Sequence, residues 1–184
     1  MALTVSDIVY LLTTRGLRQY DREAISQLDH ALQCAHLAEQ AGEQPATVAA
    51  CLLHDLGHLL APRLDSQGDA PRERDDLHQY VALPFLSHLF PPSVLNPVRL
   101  HVDAKRYLCA VDPGYWATLS DVSKHSLELQ GGIFSTEQAE AFAEQPHAQE
   151  AARLRRYDDR AKVAGAVTPP LDHYVPLLES LALD

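Results

Sequence analysis

Ala49-Ala50-Cys51-Leu52-Leu53-His54-Asp55-Leu56-Gly57-His58 reads as a buried helix running into groups that cannot be buried alone. An imidazole and a carboxylate in apolar surroundings are costly unless something binds them. Side by side, they can hold one metal ion between a ring nitrogen and a carboxylate oxygen. The pair therefore calls for partners elsewhere in the chain.

Outward from this stretch, the apolar spacing is helical almost throughout. Ser6 is expected to cap a helix to about Thr14. Ser26 begins a second, ending near Gly42, with Leu28, Ala31, Leu32, Ala35 and Ala38 on one face. Pro45 opens a third, to about Leu60. Ala61 to Arg74 reads as an exposed loop. A fourth helix is expected from Asp75 to Leu89, stopped by Pro91-Pro92, and Ser93 caps a fifth to Cys109. Pro113-Gly114 opens a short helix, and Ser120 or Ser123 caps another ending at Gly131-Gly132. Thr136 to Glu144 and Pro146 to Ala164 follow, and the tail from Pro169-Pro170 reads as a short docking segment. No run alternates as a strand would. The expected fold is all-α, one compact helical bundle over residues 1–184 with a metal site in its core.

The chain has 184 residues, 46% of them apolar, enough for a sizeable core. Its formal net charge of −10 argues against phosphate-backbone binding, so no nucleic-acid partner is expected. A small anionic substrate would need a local basic pocket. Cys34, Cys51 and Cys109 form no CxxC pair and read as core residues in a reducing compartment. Neither a signal segment nor an apolar run of membrane-spanning length is visible, so a cytoplasmic location without membrane contact is expected.

Placed on these helices, His30, His54 with Asp55, His78, His101 and Asp158 offer one or two inward ligands per helix, as bundles build metal sites. Four imidazoles and two carboxylates suit two metals bridged by a carboxylate better than one tetrahedral zinc. Residues one turn away add cations: His58 beside His54, Lys105 beside His101 and Arg155 beside Asp158. Arginine suits bidentate contacts to phosphate or phosphonate. Tyr20 and Glu23 add a phenol and a carboxylate if their segment folds over the site. His36, His88, His147 and His173 read as surface or satisfied histidines.

His30, His54-Asp55 and Asp158 together resemble the HD-domain superfamily of metal-dependent phosphohydrolases and oxygenases, and His78 and His101 resemble its two-metal branch. Tyr20-Asp21-Arg22-Glu23, Gln27-Leu28-Asp29-His30, His54-Asp55-Leu56-Gly57-His58, Asp75-Asp76-Leu77-His78, His101-Val102-Asp103-Ala104-Lys105, Ser126-Leu127-Glu128-Leu129-Gln130-Gly131-Gly132 and Arg155-Arg156-Tyr157-Asp158-Asp159 look like the PhnZ-type oxygenases. These are relatives of myo-inositol oxygenase that cleave the carbon–phosphorus bond of 1-hydroxyphosphonates. The resemblance runs over about residues 5 to 165.

It implies an Fe(II)/Fe(III) pair with dioxygen as co-substrate. One iron would take His30, His54, Asp55 and Asp158. The other would share Asp55 and take His78 and His101. His58, Lys105, Ser123, Ser126 and Arg155 would surround the phosphonate, with Ser126 where some relatives carry threonine. Tyr20 would contact an iron before substrate arrives, and Glu23 would face an amino or ammonium group. Asp159 competes with Asp158 as ligand. Asp158 is preferred because Lys162 follows it by four, as in the family pattern.

The implied substrate is a small organophosphonate, either 2-amino-1-hydroxyethylphosphonate or an N-methylated analogue. Products would be phosphate and a carboxylic acid such as glycine or glycine betaine. A 2-oxoglutarate-dependent hydroxylase would act upstream without a stable complex. Tyr115 and Trp116 could supply aromatic neighbours to a quaternary ammonium. The same ligands would also serve a two-metal phosphohydrolase or phosphodiesterase with a hydroxide nucleophile.

Overall fold

The computed structural model describes residues 3–20, 23–60, 75 and 77–183. The expected loop at 61–74 lies outside them. Helix α1 (Val5–Thr14) is capped by Thr4, not by Ser6. Thr4 Oγ1 accepts from the Asp7 amide at 3.1 Å while Asp7 accepts from the Thr4 amide at 2.9 Å. That reciprocal pairing satisfies two amides together, and Ser6 has no acid three residues on. Helix α2 (Gln27–Gln40) starts from the expected Ser26, in the same kind of box with Asp29.

The third expected helix is two. Helix α3 (Pro45–Leu53) ends before His54-Asp55, and α4 (Leu56–Leu60) resumes after them. Consecutive residues of an unbroken helix point about 100° apart. The break lets both side chains face one place, with His54 Nε2 3.4 Å from Asp55 Oδ2.

The expected 75–89 helix is also two short pieces, α5 (His78–Val81) and α6 (Leu83–Leu86). Leu77 caps α5 in the left-handed region at φ 52°, and Pro84 occupies the first turn of α6. Then come α7 (Pro92–Val111), α8 (Tyr115–Thr118), α9 (Asp121–Leu129) capped by Ser120, and α10 (Thr136–Ala143) capped by Ser135. Helix α11 (Ala148–Arg160) is shorter than expected at both ends, because His147 is left-handed at φ 66° and Ala161 leaves the helical region at ψ 45°. The tail is no mere docking segment: α12 (Leu171–Leu181) is an 11-residue helix. Among the described residues the sole β feature is an isolated bridge between Gln19 and Ser26.

The long helix α7 lies against α11 and α3, α2 lies against α3 and α11, and α12 closes over α3 and α1. Small residues line the crossing of α2 and α3: Ala31, Ala35 and Ala38 of α2 and Ala49 and Ala50 of α3 are all buried in one core. Small side chains let the two helices approach, which brings His30 towards His54. Cys34 and Cys51 are buried as expected, whereas Cys109 is half-buried. Burial pushes the Cys34 thiol well up, which suits an inert core residue. No helix among the described residues is long and apolar enough to cross a membrane.

Candidate active site

His30, His54, His101 and Asp158 are fully buried, and Asp55 and His78 nearly so. His30 donates from Nδ1 to the Ala161 carbonyl at 2.8 Å and His54 from Nδ1 to the Cys51 carbonyl at 2.8 Å. A carbonyl can only accept, so each Nδ1 carries a proton, and a neutral ring then presents a bare Nε2. Those two Nε2 atoms lie 3.3 Å apart, lone pair towards lone pair when both rings are neutral. Asp158 Oδ1 is 3.4 Å from the first, and Asp55 Oδ2 is 3.7 Å and 3.4 Å from the two. Both of these carboxylate oxygens are buried without a hydrogen-bond partner. Facing acceptors with orphaned carboxylate oxygens repel one another unless a cation lies among them. The donor set and its fixed Nδ1 protons fit a metal ion.

The other oxygen of Asp55 faces a second group. Oδ1 lies 3.3 Å from His78 Nε2, 3.6 Å from His101 Nε2 and 3.8 Å from His58 Nε2. His101 also has its Nδ1 fixed, on the Val98 carbonyl at 2.7 Å. His58 stacks on His78 with ring centres 4.0 Å apart. Asp55 therefore stands between two sets of nitrogens, one per oxygen. Gly57 makes the second set possible: a Cβ there would lie 2.0 Å from the His78 carbonyl oxygen.

Burial pushes the His54 imidazole below its usual range and the His101 imidazole further below. Burial alone would raise both carboxyls, yet both are held well below the usual carboxylate range. His54, His58 and His78 oppose it at Asp55, and the Arg155 guanidinium, ahead of His30 and His54, opposes it at Asp158. The neutral-imidazole, ionised-carboxylate state is the one that binds metal.

In front of this cluster is a cavity of about 50 Å³, lined on one side by Asp55, His58, His78 and His101 and on the other by Lys105, Ser123, Ser126 and Arg155. That volume suits a few heavy atoms. Lys105 is 2% exposed and donates to Ser126 Oγ at 2.6 Å. Burial, and then the neighbouring Arg155, lower its ammonium pKa to about 7. Tyr20 stacks on His30 at 3.9 Å between ring centres, with its phenol bonded to Asp55. Burial and the two carboxylates push that phenol well above 10. Tyr20 is held there by its amide, which donates to the Ile25 carbonyl at 2.8 Å.

The structure thus brings the six candidate ligands together with His58, Lys105, Ser123, Ser126, Arg155, Tyr20 and Glu23, but not with Tyr115 and Trp116. Glu23 comes with partners that sequence reasoning missed: Lys162 at 3.5 Å and the Ser120 hydroxyl at 3.1 Å. Lys162 also donates to Ser123 Oγ at 3.0 Å. Gln33, one turn after His30, binds both the amide and the carbonyl of Val163, at 3.0 and 2.9 Å. This clamp holds the turn whose Ala161 carbonyl receives His30. Tyr115 is not an aromatic wall of the cavity; its phenol donates to Asp159. Trp116 is 38% exposed, with Lys124 over its ring.

Residues 28–119 match the HD domain family. The chain belongs to the HD-domain family. Within it, the chain is 40% identical over 176 residues to a hydroxymethylphosphonate dioxygenase of Gimesia maris, covering 96% of this chain and 87% of that one. It is 35% identical over 168 residues to the glycine-betaine-forming [1-hydroxy-2-(trimethylamino)ethyl]phosphonate dioxygenase of Leisingera caerulea, covering 91% and 84%. An uncharacterized protein of Acanthamoeba polyphaga mimivirus is 33% identical over 177 residues, covering 95% and 80%. The HD match spans five of the six clustered residues, all but Asp158, and the longer alignments extend over most of the chain.

Proposed function

We propose that this HD-domain chain, as one domain over residues 1–184, is a diiron dioxygenase that cleaves the carbon–phosphorus bond of a small 1-hydroxyphosphonate. The observation that carries this is Asp55, whose two carboxylate oxygens each face a separate set of imidazoles. In this reading Asp55 would serve two irons, His30, His54 and Asp158 would complete one site, and His78 and His101 would complete the other. Bound as Fe(II)/Fe(III), the pair supplies chelation of the substrate's hydroxyl and phosphonate oxygens and activation of dioxygen.

The chain's own residues do the rest. Lys105 and Arg155 offer positive charge to the phosphonate, with His58, Ser123 and Ser126 as further donors. Tyr20 covers the cluster until substrate displaces it. Glu23, already engaged by Lys162 and Ser120, borders the position of any group on C2. With hydroxymethylphosphonate, one dioxygen converts one substrate to one formate and one phosphate, a four-electron oxidation needing no outside reductant. In this reading a preceding hydroxylation of the parent phosphonate would supply the C1 hydroxyl, without a stable complex.

The test is turnover of hydroxymethylphosphonate, 2-amino-1-hydroxyethylphosphonate and its trimethylated analogue by the iron-loaded chain, with and without oxygen. Oxygen uptake should equal phosphate release, and neither should proceed anaerobically. Equal phosphate release without oxygen would instead mean hydrolysis. Electron paramagnetic resonance of the loaded chain should show a coupled half-integer-spin pair.

A further inference from the structure

Asp158 and Asp159 are adjacent acids on α11, and only one faces the imidazoles. Asp158 turns its oxygens to His30 and His54, at 3.4 and 3.8 Å. Asp159 turns the other way, to Arg155, one turn before it. It accepts from both Arg155 Nη2 and Nε, the latter at 3.3 Å, as a two-pronged pair. Arg155 Nη1 meanwhile binds Asp158 Oδ2 at 2.7 Å. A guanidinium has five N–H groups. With one each on Nε, Nη2 and Nη1 committed, two remain, one on each terminal nitrogen.

Behind Asp159 stands Tyr115, 3% exposed, whose hydroxyl donates to Asp159 Oδ2 and lies 3.3 Å from Arg155 Nε. Tyr115 is itself held. Its ring packs with Leu108, Leu119 and Ala152, and the Arg156 guanidinium lies 5.5 Å over it. Arg156 is tied in turn to Asp112 at 2.8 Å. A chain of fixed groups therefore runs from the α7–α8 corner through Tyr115 and Asp159 to Arg155, which borders the cavity.

We propose that Asp159, backed by Tyr115, is a positioning residue: it orients the Arg155 guanidinium so that its two uncommitted N–H groups meet an anion beside the metal cluster. This rests on the reading of Arg155 as a phosphonate contact. Without Asp159, a guanidinium on a flexible stem keeps its charge but loses its aim, so the anion-binding step suffers most.

The test uses the iron-loaded full chain, Asp159→Asn, Tyr115→Phe and the double variant. Three readouts are taken: calorimetric Kd for inorganic phosphate, KM and kcat for hydroxymethylphosphonate, and iron per chain. Asp159→Asn should raise both Kd and KM about tenfold, as expected for loss of one charge-assisted pair. Its kcat should stay within about threefold and its iron should match the parent chain. Tyr115→Phe should do the same by about threefold. The double variant should be no worse than Asp159→Asn, because both act through one guanidinium. Asp159→Glu should recover part of the loss.

An unchanged Kd and KM in both variants overturns the proposal. So does loss of iron in Asp159→Asn, or a kcat loss at constant KM. Should Asp159→Asn fail to fold, an unaltered Kd in Tyr115→Phe decides against it. If the parent chain binds phosphate but shows no oxygen-dependent turnover, the dioxygenase reading fails while the Asp159 result stands. A parent chain that neither binds phosphate nor turns over hydroxymethylphosphonate overturns both.

Discussion

The two oxygens of Asp55 look onto halves built in different ways. On the Oδ2 side, His30, His54 and Asp158 belong to α2, the end of α3 and α11, helices of 14, 9 and 13 residues. Both imidazoles there are locked through Nδ1 to main-chain carbonyls. On the Oδ1 side, His58 and His78 stand on helices of 5 and 4 residues, too short to hold themselves. His101, on the 20-residue α7, is the exception in that half. One half is preset by the core. The other depends on a single close backbone approach, Gly57 against His78.

The harshest way to probe this difference is to remove what the halves share. Asp55→Asn should cut phosphate release by at least about a thousandfold, roughly 4 kcal/mol of barrier, and deplete iron from both halves. Retention of one iron and a tenth of the activity would show that Asp55 does not serve both. Gly57→Ala should separate the halves. Its Cβ forces α4 and α5 apart, costing about 2 kcal/mol, or roughly 4–8 °C in Tm. Iron should fall from two towards one per chain as the His78 half empties first. Two irons at an unchanged Tm would mean the close approach can relax freely.

A milder probe is pH, acting on the cavity in front of both halves. Lys105, lowered to about 7, should lose its charge above that pH, so kcat/KM should fall by up to about tenfold per unit. Lys105→Met should remove this limb. The folded-state pKa lies below the 10.5 of the unfolded chain, so the group's contribution to stability improves as pH rises from about 7 to 10.5. Activity should therefore decline without a Lys105-linked loss of Tm, and a parallel decline would point to unfolding instead. The smallest effect belongs to Leu77, 51% exposed and left-handed. Leu77→Asn should relieve up to about 1 kcal/mol of strain and raise Tm by a few degrees, with iron unchanged.

Ligand types and their distribution over separate helices were legible in the sequence, because burying His and Asp within apolar stripes demands a reason. The helix break at His54-Asp55 was not, since the apolar run continues through Leu56, Leu59 and Leu60 and conceals it. Nor was the capping by Thr4, where a serine nearer the apolar run looked as suitable until Asp7 decided it. Asp159 read as a rival ligand because adjacent acids are indistinguishable until α11 fixes which way each points. Tyr115 read as a possible aromatic wall because its polar end is committed by tertiary packing. Ser120 read only as a cap; it is that cap, and its hydroxyl also reaches Glu23 across the fold.

The buried, carbonyl-locked imidazoles have a consequence for how metal and acid compete. A solvated histidine near pH 6.5 surrenders a proton to take a metal, so acid strips the ion readily. Burial makes His54 and His101 hold that proton less firmly than a free imidazole does. Iron capture by these two rings therefore releases fewer protons, and acid begins to win at a lower pH than it does for free imidazoles.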